Sequence, residues 1–586
     1  MNTSTYNKLP FVEVKGKYAV YKGWVNIAEA LKTHANKINK ARLIIVVECY
    51  QGVVIEEIEQ QLSNHLDTNE TFLSTEVMYE EEVIKKMVYP DVTDDRIFGN
   101  LTDLNMHHFI DKNKVKAFCN EINKIGKGLI LVIGPGASLV CPDYDLLVYA
   151  DMARWEIQQR MRRHEVDNLG VKNRNTKDWM LLYKQGYFVD WRICDRLKKQ
   201  LFDNIDFVLD TNKREEPKLV PNNAVLSGYK TAVKRPFSVV PFFDPGPWGG
   251  QWLKEVCNLD PNQDNYAWCF NCVPEENSLL LKIGGELIEL PSINLVFRHP
   301  TELLGISVNE RFGDEFPIRF DFLDTMGGGN LSLQVHPLTE YIKAKFGLRY
   351  TQDESYYMLD TKDGAFVYLG LKEDVEQESC IQDLKEARKG QKVFDDCKYI
   401  QTWPAKKHDH FLIPAGTIHC SGKNCMVLEI SATPYIFTFK LWDWGRLGMD
   451  GKPRPINIEH AEQVVQWDRS TEWTKENLIN RFEIVNQGKD WIEERTGLHE
   501  LEFIETRRHW FTGLVKHETK FGVEVICLVE GEEIIVECPE NNFEPYVIHY
   551  AEVFILPASI KKYTIRPFGK SLGKKCGTIK AYVRPQ

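Results

Sequence analysis

The 586-residue sequence has no long hydrophobic run, although 43% of its residues are hydrophobic. A membrane-spanning helix needs about 18 or more consecutive apolar residues, and no segment approaches that length. The first residues, "MNTSTYNKLPFVEVKGKY", also lack the apolar stretch of a secretory signal peptide. We therefore expect a cytoplasmic protein without membrane contacts. Its length predicts three or four domains of roughly 100–200 residues each.

Positive charge is in deficit, because the formal net charge is -11. This balance argues against general binding to nucleic acids or anionic membranes, whose phosphates attract basic surfaces. A small anionic substrate is still compatible, since a few local cations suffice for one phosphate. The 14 cysteines are scattered, so we expect reduced thiols rather than a disulfide framework. Cys269 and Cys272 have the CxxC spacing of a zinc-ligand pair, but no second pair accompanies them.

The first 230 residues lack a complete phosphate-binding loop. Short β-branched runs such as "ARLIIVVECY", "KGLILVIGPG" and "DLLVYAD" predict buried strands, and helical patterns between them predict a parallel α/β sheet. A working loop has the pattern G-x-x-x-x-G-K-[ST], whereas the first strand is followed by Gly52 alone and contains the acidic Glu48. The layout from Leu43 to about Asp210 resembles the uridine-kinase-like branch of P-loop folds. We therefore expect a degenerate P-loop-like domain over residues 1–230 that binds no ATP.

The remaining chain has the sequence pattern of antiparallel β-structure. Residues 236–500 contain short alternating strands broken by Gly, Pro and Asn, with helical insertions predicted at 379–394 and 473–488. Residues 501–586 predict a second, smaller β-domain. The stretches "HDHFLIPAGTIH" and "YAEVFILPASIKKY" share the order of charge, apolar strand and Pro-Ala turn, which indicates two related barrels. The charged, proline-containing segment 211–236 predicts the linker that precedes them.

A row of polar residues marks the candidate site. In "LSLQVHP" three apolar residues alternate with Ser332, Gln334 and His336, so that a hydroxyl, an amide and an imidazole share one face of a strand. A half-exposed strand facing water would show the same pattern. A proline directly after His336 ends that strand, while Glu354 opens a further strand and His419 follows a Pro-Ala-Gly turn. These features favour a site over a solvated face.

Two neutral imidazoles, a carboxylate and an amide oxygen can together hold a divalent cation. They leave one position open for water or substrate, as catalytic zinc sites do. Iron, manganese or nickel would accept the same donors, because imidazole and oxygen ligands discriminate weakly. The sequence therefore predicts a metal site.

From about residue 241 to 586 the sequence resembles the class I mannose-6-phosphate isomerases, which are cupin proteins. Five motifs stand in the family order: "PWGGQWL", "FPIRFDFLD" leading to "LSLQVHP", "ESYYML", "IPAGTIHC" and "LEISATPYIFTFKLWDWGR". The resemblance implies a β-rich double cupin of jelly-roll barrels with inserted helices. It also implies that the zinc ligands are Gln334, His336, Glu354 and His419.

The resemblance further implies which residues contact the substrate. The family interconverts an aldose and a ketose phosphate through a cis-enediol, which requires a proton carrier and an electrophile. Glu429 matches an acidic residue of the family's active site and is predicted to move the proton, with a plain strand carboxylate as the alternative. Ser332 matches a hydroxyl near the substrate phosphate. Lys440 takes the place of an arginine in the closing motif, so we expect it to bind substrate and take part in catalysis.

Three positions depart from the family pattern. Lys440 keeps the charge of the usual arginine but loses the planar fork that grips phosphate at two points. Gln352 and Asp321 stand where lysines are common, so two cations are lost and a negative charge is added. A charge pair about 4 Å apart contributes roughly 4 kcal/mol at an effective ε of 20, so phosphate binding should weaken. Residues that could compensate are Arg446, Arg349 and Lys362.

The sequence thus predicts a zinc-dependent isomerase, converting mannose 6-phosphate to fructose 6-phosphate, fused to a degenerate P-loop-like domain. The expected partner is a small sugar phosphate, and no feature predicts the oligomeric state. Two other functions also fit. A cupin iron oxygenase would use the same two histidines and carboxylate as a facial triad. A non-catalytic sugar-sensing protein would account for the incomplete phosphate loop and the lost cations.

Overall fold

The computed structural model consists of an α/β unit followed by two barrels of β-strands. It describes residues 4–432, 437–449, 451, 454–497 and 499–585. The predicted closing signature, from Leu428 to Arg446, therefore lies partly outside the described residues. The multidomain, β-rich architecture is confirmed, and the paired sheets beyond residue 236 fit a cupin-type fold. Within the described part of the chain, every helix falls short of the length or hydropathy that a bilayer span demands.

The α/β unit is built on a mostly parallel sheet. The strands up to residue 221 are β1 (Phe11–Glu13), β2 (Tyr21–Lys22), β3 (Arg42–Cys49), β4 (Thr68–Leu73), β5 (Gly128–Gly134), β6 (Leu146–Asp151), β7 (Phe207–Asp210) and β8 (Lys218–Pro221). The seven-stranded sheet has the order β2-β8-β7-β6-β3-β5-β4, in which β4, β5, β3, β6 and β7 run parallel. The three strands predicted from apolar runs are present as β3, β5 and β6. The resemblance to P-loop kinases stays a prediction.

Helices connect and cover these strands. They are α1 (Gly23–Ile38), α2 (Ile55–His65), α3 (Glu81–Val92), α4 (Lys112–Lys124), α5 (Ala137–Val140), α6 (Arg154–Arg162), α7 (Trp179–Gln185), α8 (Trp191–Leu201) and α9 (Asn222–Ala232). Asp111 begins α4 by accepting hydrogen bonds from two backbone N–H groups of its first turn. The linker predicted at 211–236 is wrong, because Leu219 and Val220 pair with the buried strand β7 and the chain continues into α9.

The carboxyl ends of the parallel strands, where α/β proteins bind ligands, are occupied by groups of the chain itself. Glu48, near the end of β3, accepts hydrogen bonds from the backbone N–H groups of Gly136 (2.6 Å) and Ser138 (2.9 Å). The hydroxyl of Ser138 also donates to Glu48 (2.7 Å). Backbone N–H groups converging in this way form an anion-binding nest. A carboxyl group of the protein therefore lies where a phosphate could bind.

A buried ionic network at the same ends of the strands joins the α/β unit to the first barrel. Arg154 forms ion pairs with Asp195 and with Glu275 of the barrel, and it also donates to the Glu275 carbonyl (2.9 Å). Arg192 donates to the Glu275 carboxylate (3.1 Å), and the hydroxyl of Tyr50 donates to Asp195 (2.9 Å). Water does not screen these buried charges, so each depends on its partner.

The first barrel is formed by two facing sheets. Its strands, with those of a smaller third sheet, are β9 (Phe242–Asp244), β10 (Trp268–Cys272), β11 (Ser278–Ile283), β12 (Glu286–Pro291), β13 (Arg319–Asp324), β14 (Leu333–Val335), β15 (Glu354–Thr361), β16 (Phe366–Leu371), β17 (Ile400–Pro404), β18 (His410–Ile413), β19 (His419–Ser421), β20 (Cys425–Ser431) and β21 (Phe439–Trp442). The facing sheets have the orders β18-β15-β20-β13-β10-β9 and β17-β16-β19-β14-β21. The third sheet, β1-β11-β12, includes the N-terminal strand.

Helices lie in the connections of the first barrel. They are α10 (Trp252–Val256), α11 (Asn294–Arg298), α12 (Pro300–Leu304), α13 (Ile306–Phe312), α14 (Thr339–Phe346), α15 (Gln377–Arg388), α16 (Asp396–Tyr399), α17 (Ile458–Ala461) and α18 (Thr471–Asn477). The insertion predicted at 379–394 is helical, as α15, as far as Arg388. The insertion predicted at 473–488 is helical only as far as Asn477, because the β-branched residues after Phe482 form a strand instead.

The C-terminal barrel repeats the strand order of the first. Its strands are β22 (Glu483–Gln487), β23 (Trp491–Arg495), β24 (Ile504–Phe511), β25 (Val515–Glu518), β26 (Glu524–Glu530), β27 (Glu533–Glu537), β28 (Tyr546–His549), β29 (Val553–Leu556), β30 (Lys562–Pro567) and β31 (Cys576–Val583). The orders β29-β26-β31-β24-β23-β22 and β28-β27-β30-β25 correspond to those of the first barrel without β21. Because β22 and β23 pair with this sheet, it begins ahead of the predicted boundary at 501.

The ionic network predicts a large effect of Arg154→Ala on stability. Removing this arginine leaves Asp195 and Glu275 buried without their partner, which should lower the free energy of unfolding by about 3–5 kcal/mol. Urea unfolding followed by fluorescence measures the change. Arg163→Ala is the control, because Arg163 pairs with Glu165 at a half-exposed site and should lower it by about 1 kcal/mol or less. Equal effects of the two substitutions would contradict the prediction.

The filled nest predicts a pH effect on stability. Burial raises the pKa of Glu48 from its ordinary value of 4.5 to about 7, although its hydrogen bonds oppose the shift. Between these two pH values the folded chain holds a proton that the unfolded chain has lost, so this contribution to stability falls as pH rises. The stability of wild type relative to Glu48→Gln should fall by up to about 1.4 kcal/mol per pH unit. Urea titrations at several pH values measure this slope. If the stabilities of wild type and Glu48→Gln changed equally with pH, the prediction would be refuted.

Candidate metal centre

Three strands of the first barrel bring the predicted donors to one end of it. Gln334 lies in the middle of β14, directly opposite His419, the first residue of β19. His336 follows β14, and Glu354 opens β15 in the facing sheet. Residues opposite one another in neighbouring strands share a face, so Gln334 and His419 project side by side.

A turn that requires glycine joins the two histidine-bearing segments. Gly416, in the Pro-Ala-Gly turn before His419, donates its backbone N–H to the carbonyl of His336 (3.0 Å). Its φ of +86° is left-handed, and a Cβ there would lie 2.9 Å from the carbonyl oxygen of Val464. The turn therefore fixes the point at which the chain re-enters the sheet beside β14.

The donor atoms converge around one carboxylate. The two oxygens of Glu354 lie 2.8 Å from Nε2 of His419 and 3.1 Å from Nε2 of His336. All three side chains are 0% exposed. The amide nitrogen of Gln334 lies 3.3 Å from Nε2 of His419, and turning the amide over would present its oxygen there instead. The structure thus gathers the four predicted donors in one cluster.

The hydrogen bonds of the imidazoles determine which ring nitrogen carries hydrogen. Nδ1 of His336 lies 2.9 Å from the carbonyl oxygen of Phe437, and Nδ1 of His419 lies 2.9 Å from that of Thr417. A carbonyl only accepts, so each Nδ1 carries hydrogen and each Nε2 of a neutral ring directs a lone pair towards Glu354. Among the described residues, His336 Nε2 and Glu354 Oε1 have no hydrogen-bond partner. Such acceptors repel one another unless a cation lies between them, so the set fits a divalent metal ion.

Two neighbouring carboxyl groups have opposite pKa shifts. Burial raises the pKa of Glu354, but positive charge on the two adjacent imidazoles, when they are protonated, outweighs burial and holds it well below its ordinary value. Glu429 shares the same interior face, because Ser431, two residues further along β20, is opposite Glu354. Burial, together with the charges of Glu354 and Asp321, raises the pKa of Glu429 well above its ordinary range. Glu429 therefore keeps a proton where Glu354 is ionised.

Gln352 connects these two carboxyl groups. Its amide nitrogen donates to Glu354 (2.9 Å) and lies 3.4 Å from Glu429 as a second, longer contact. Its amide oxygen accepts the backbone N–H of Phe437 (3.1 Å). The neutral amide thus orients the cluster through hydrogen bonds.

Asp321 is paired inside the barrel. Its carboxylate accepts a hydrogen bond from Nε of Arg319 (2.6 Å), and both side chains are buried. Burial raises the pKa of Asp321 to about 6, while Arg319 opposes the shift. The expectation of an added net negative charge is therefore wrong, because Arg319 supplies the opposite charge. The spacing of two residues along one strand was a signal that both side chains share a face.

A second polar cluster lies beside the donors. Lys440 on β21 is directly opposite Gln334, and burial together with nearby Arg454 lowers its pKa to about 7. Ser332 donates to Asp443 (2.8 Å) and accepts a hydrogen bond from Arg454 (2.9 Å). The predicted substrate-binding residues Ser332 and Lys440 therefore both neighbour Arg454, a residue that sequence reasoning missed.

One predicted compensating cation joins this second cluster. Arg446 forms an ion pair with Asp443 (2.6 Å), whereas Arg349 and Lys362 are exposed. Arg454 also pairs with Asp443 (3.0 Å). The sequence signal for it was a basic residue soon after the "WDWGR" motif.

The C-terminal barrel compensates the corresponding carboxylate differently. Glu524 opens β26 as Glu354 opens β15, each opposite the residue before a Pro-Ala turn. Glu524 accepts hydrogen bonds from Lys580 (3.1 Å) and from the hydroxyl of Tyr563 (2.6 Å). An ammonium group thus neutralises this carboxylate. Over the described ranges, a group of three metal-ligating side chains is found in the first barrel alone.

Comparison with known proteins finds a family model that matches the α/β unit and relatives that match part of the chain. Residues 23–234 match a family model described as a domain of unknown function (DUF8485). The chain is 24% identical over 232 residues to the mannose-6-phosphate isomerase ManA of Bacillus subtilis, which covers 39% of this chain and 68% of that relative. It is 23% identical over 322 residues to the mannose-6-phosphate isomerase of Streptococcus mutans, covering 54% of this chain and 90% of the relative.

A solved structure of the mannose 6-phosphate isomerase from Bacillus subtilis is also similar, with a TM-score of 0.49 and 18% sequence identity. That comparison covers 59% of this chain and 99% of the other. The predicted resemblance to mannose-6-phosphate isomerases is thus confirmed by sequence over 39% to 54% of the chain.

The donor cluster predicts specific loss of metal binding on substitution. Wild type should bind about one divalent ion, and His336→Ala or His419→Ala should weaken zinc affinity by more than about tenfold, because each removes a donor. Elemental analysis and chelator competition measure stoichiometry and affinity. His410→Ala is the matched control, since His410 is equally buried but bonds to Ser355 (2.9 Å) outside the cluster. Full zinc occupancy of His336→Ala would refute the assignment.

Proposed function

We propose that this protein is a metal-dependent aldose–ketose isomerase that converts mannose 6-phosphate to fructose 6-phosphate through a cis-enediol. The observation that carries the proposal is the buried convergence of His336, Glu354 and His419, with Gln334 beside them. The motifs that contain this cluster resemble those of mannose-6-phosphate isomerases, and the chain is similar to proteins of that name over 39% to 54% of its length. The four side chains would be the ligands of the metal, with zinc as the expected ion.

A divalent ion on these donors would act as a Lewis acid towards a substrate oxygen. The side chains of the protein must then bind the sugar phosphate, exclude water and move a proton between adjacent carbons. Glu429 is the proposed proton carrier. Its raised pKa favours the protonated carboxyl group and makes the group a stronger base once it ionises. Gln352 would hold the Glu429 and Glu354 carboxyl groups in fixed orientations.

The phosphate group is proposed to bind beside Ser332 and Lys440. Arg446 and Arg454 lie in the same cluster, where Asp443 neutralises one of the positive charges. The remaining positive charge would attract a phosphate, since a charge pair about 4 Å apart contributes roughly 4 kcal/mol at an effective ε of 20. Lys440 is also a candidate for catalysis, because a pKa of about 7 allows it to give or take a proton.

A non-catalytic sugar-sensing protein is the second candidate. Gln352 and Asp321 stand where the isomerase family has cations, and this departure favours a protein that binds the sugar without turning it over. The α/β unit, proposed to be a degenerate P-loop-like module, would then act as the regulatory part. Its nest holds the Glu48 carboxyl group. The iron oxygenase is a third possibility that the amide of Gln334, beside the two histidines, disfavours.

A coupled assay for fructose 6-phosphate tests the proposal. Wild type of known zinc content should turn over mannose 6-phosphate, and Glu429→Gln should lower kcat by about 10²–10⁴-fold because the proton carrier is lost. Zinc content should be unchanged in Glu429→Gln, which separates this loss from metal loss. His410→Ala should retain activity.

The same assay decides between the candidates. Zinc-loaded wild type that binds mannose 6-phosphate in calorimetry but forms no product would reject the isomerase and favour the sensor. Oxygen consumption that depends on ferrous iron would favour the oxygenase.

A further inference from the structure

We propose that Phe98, in the α/β unit, is a positioning residue for the metal donors of the first barrel. The inference rests on the metal centre of the proposed function. It goes beyond that function because it assigns the α/β unit a structural role at the metal centre. Among the described residues, the ring of Phe98 contacts the rings of Phe346, Phe437, Phe439 and His460, so it acts through the backbone of another residue.

The aromatic ring of Phe98 is inserted into the first barrel. Its side chain is 1% exposed. The ring stacks on Phe437, with centroids 4.9 Å apart and planes 24° apart. It meets Phe439 edge-on at 5.3 Å and Phe346 at 5.5 Å. Such aromatic contacts fix ring positions beyond what simple apolar burial does.

The backbone of Phe437 holds two parts of the donor cluster at once. Its carbonyl oxygen accepts the hydrogen of Nδ1 of His336 (2.9 Å), which sets the tautomer and the orientation of that ring. Its N–H donates to the amide oxygen of Gln352 (3.1 Å), whose nitrogen donates to Glu354 (2.9 Å). A shift of Phe437 would therefore displace the partners of His336 and Glu354 together.

The position of Phe437 depends on side-chain packing. The residue precedes β21, whose pairing with β14 begins at Phe439 opposite Val335. Phe437 thus lies two residues before that pairing begins. Its ring packs on Phe98 of the α/β unit at 4.9 Å and on Phe346 of the barrel at 4.8 Å.

The α/β unit presents Phe98 on a rigid turn. The carboxylate of Asp95 accepts the backbone N–H groups of Ile97 (2.7 Å) and Phe98 (2.9 Å). The hydroxyl of Thr93 donates to the carbonyl of Phe98 (3.0 Å), and Lys184 of α7 donates to the carbonyl of Thr93 (3.3 Å). Both backbone polar groups of Phe98 are thus bonded within the α/β unit, while its side chain lies in the barrel.

Metal affinity and the spectrum of the cobalt-substituted protein test the inference in the full chain. Phe98→Ala should weaken zinc binding, measured by chelator competition, by about 10–100-fold, as loss of outer partners of a metal ligand typically does. The visible spectrum of the Co²⁺-loaded protein should change as well, because the orientation of His336 changes. Phe98→Leu, which keeps an apolar side chain, should restore part of the affinity.

Phe118→Ala is the matched control. Phe118 is a buried phenylalanine of the α/β unit whose ring packs on Phe72 at 5.2 Å. Its loss should lower stability without changing zinc affinity or the cobalt spectrum. The inference is overturned if Phe98→Ala, or Phe98→Leu should the alanine variant not fold, binds zinc within twofold of wild type.

The failure of this inference differs from the failure of the proposed function. A wild type that binds zinc but shows no isomerase activity would reject the function, while the zinc affinity of Phe98→Ala still decides the role of Phe98. A wild type that binds no divalent ion would reject both.

Discussion

A carboxylate enclosed between two imidazole acceptors is the constraint on which the rest of the first barrel depends. Glu354 has no access to water, and the nitrogens that face it are those left without hydrogen by the carbonyl partners of His336 and His419. An uncompensated buried charge destabilises a fold by several kcal/mol, so this donor set fits a bound cation. The glycine turn, the short strand β14 and the amide of Gln352 all act to keep these groups at fixed distances.

The corresponding end of the C-terminal barrel shows another solution to the same problem. There Glu524 is neutralised by the ammonium group of Lys580, a part of the chain, and no exchangeable ion is needed. The two barrels share a strand order but differ in whether the cation is built in. That difference separates a structural ion pair from a site that can do chemistry.

The α/β unit is bound to the first barrel at the carboxyl ends of its parallel strands, where such sheets usually bind ligands. Glu48 fills the nest there, and Arg154 reaches from the unit to Glu275 of the barrel. A unit held in this way is suited to transmit position to the barrel. Phe98, whose ring is stacked on that of Phe437, connects the α/β unit to the donor cluster.

The sequence by itself determined the parts of this protein that follow from local pattern. The buried strands, the helix α15 and the placement of Gln334, His336, Glu354 and His419 could be predicted, because alternation and turn residues act over a few positions. The strand β22 was mistaken for helix, since a short apolar run leaves the period ambiguous. Only the tertiary structure decided that Arg154 pairs with Glu275 and that Phe98 packs on Phe437. Such contacts depend on which distant surfaces pack together, and no local pattern encodes that choice.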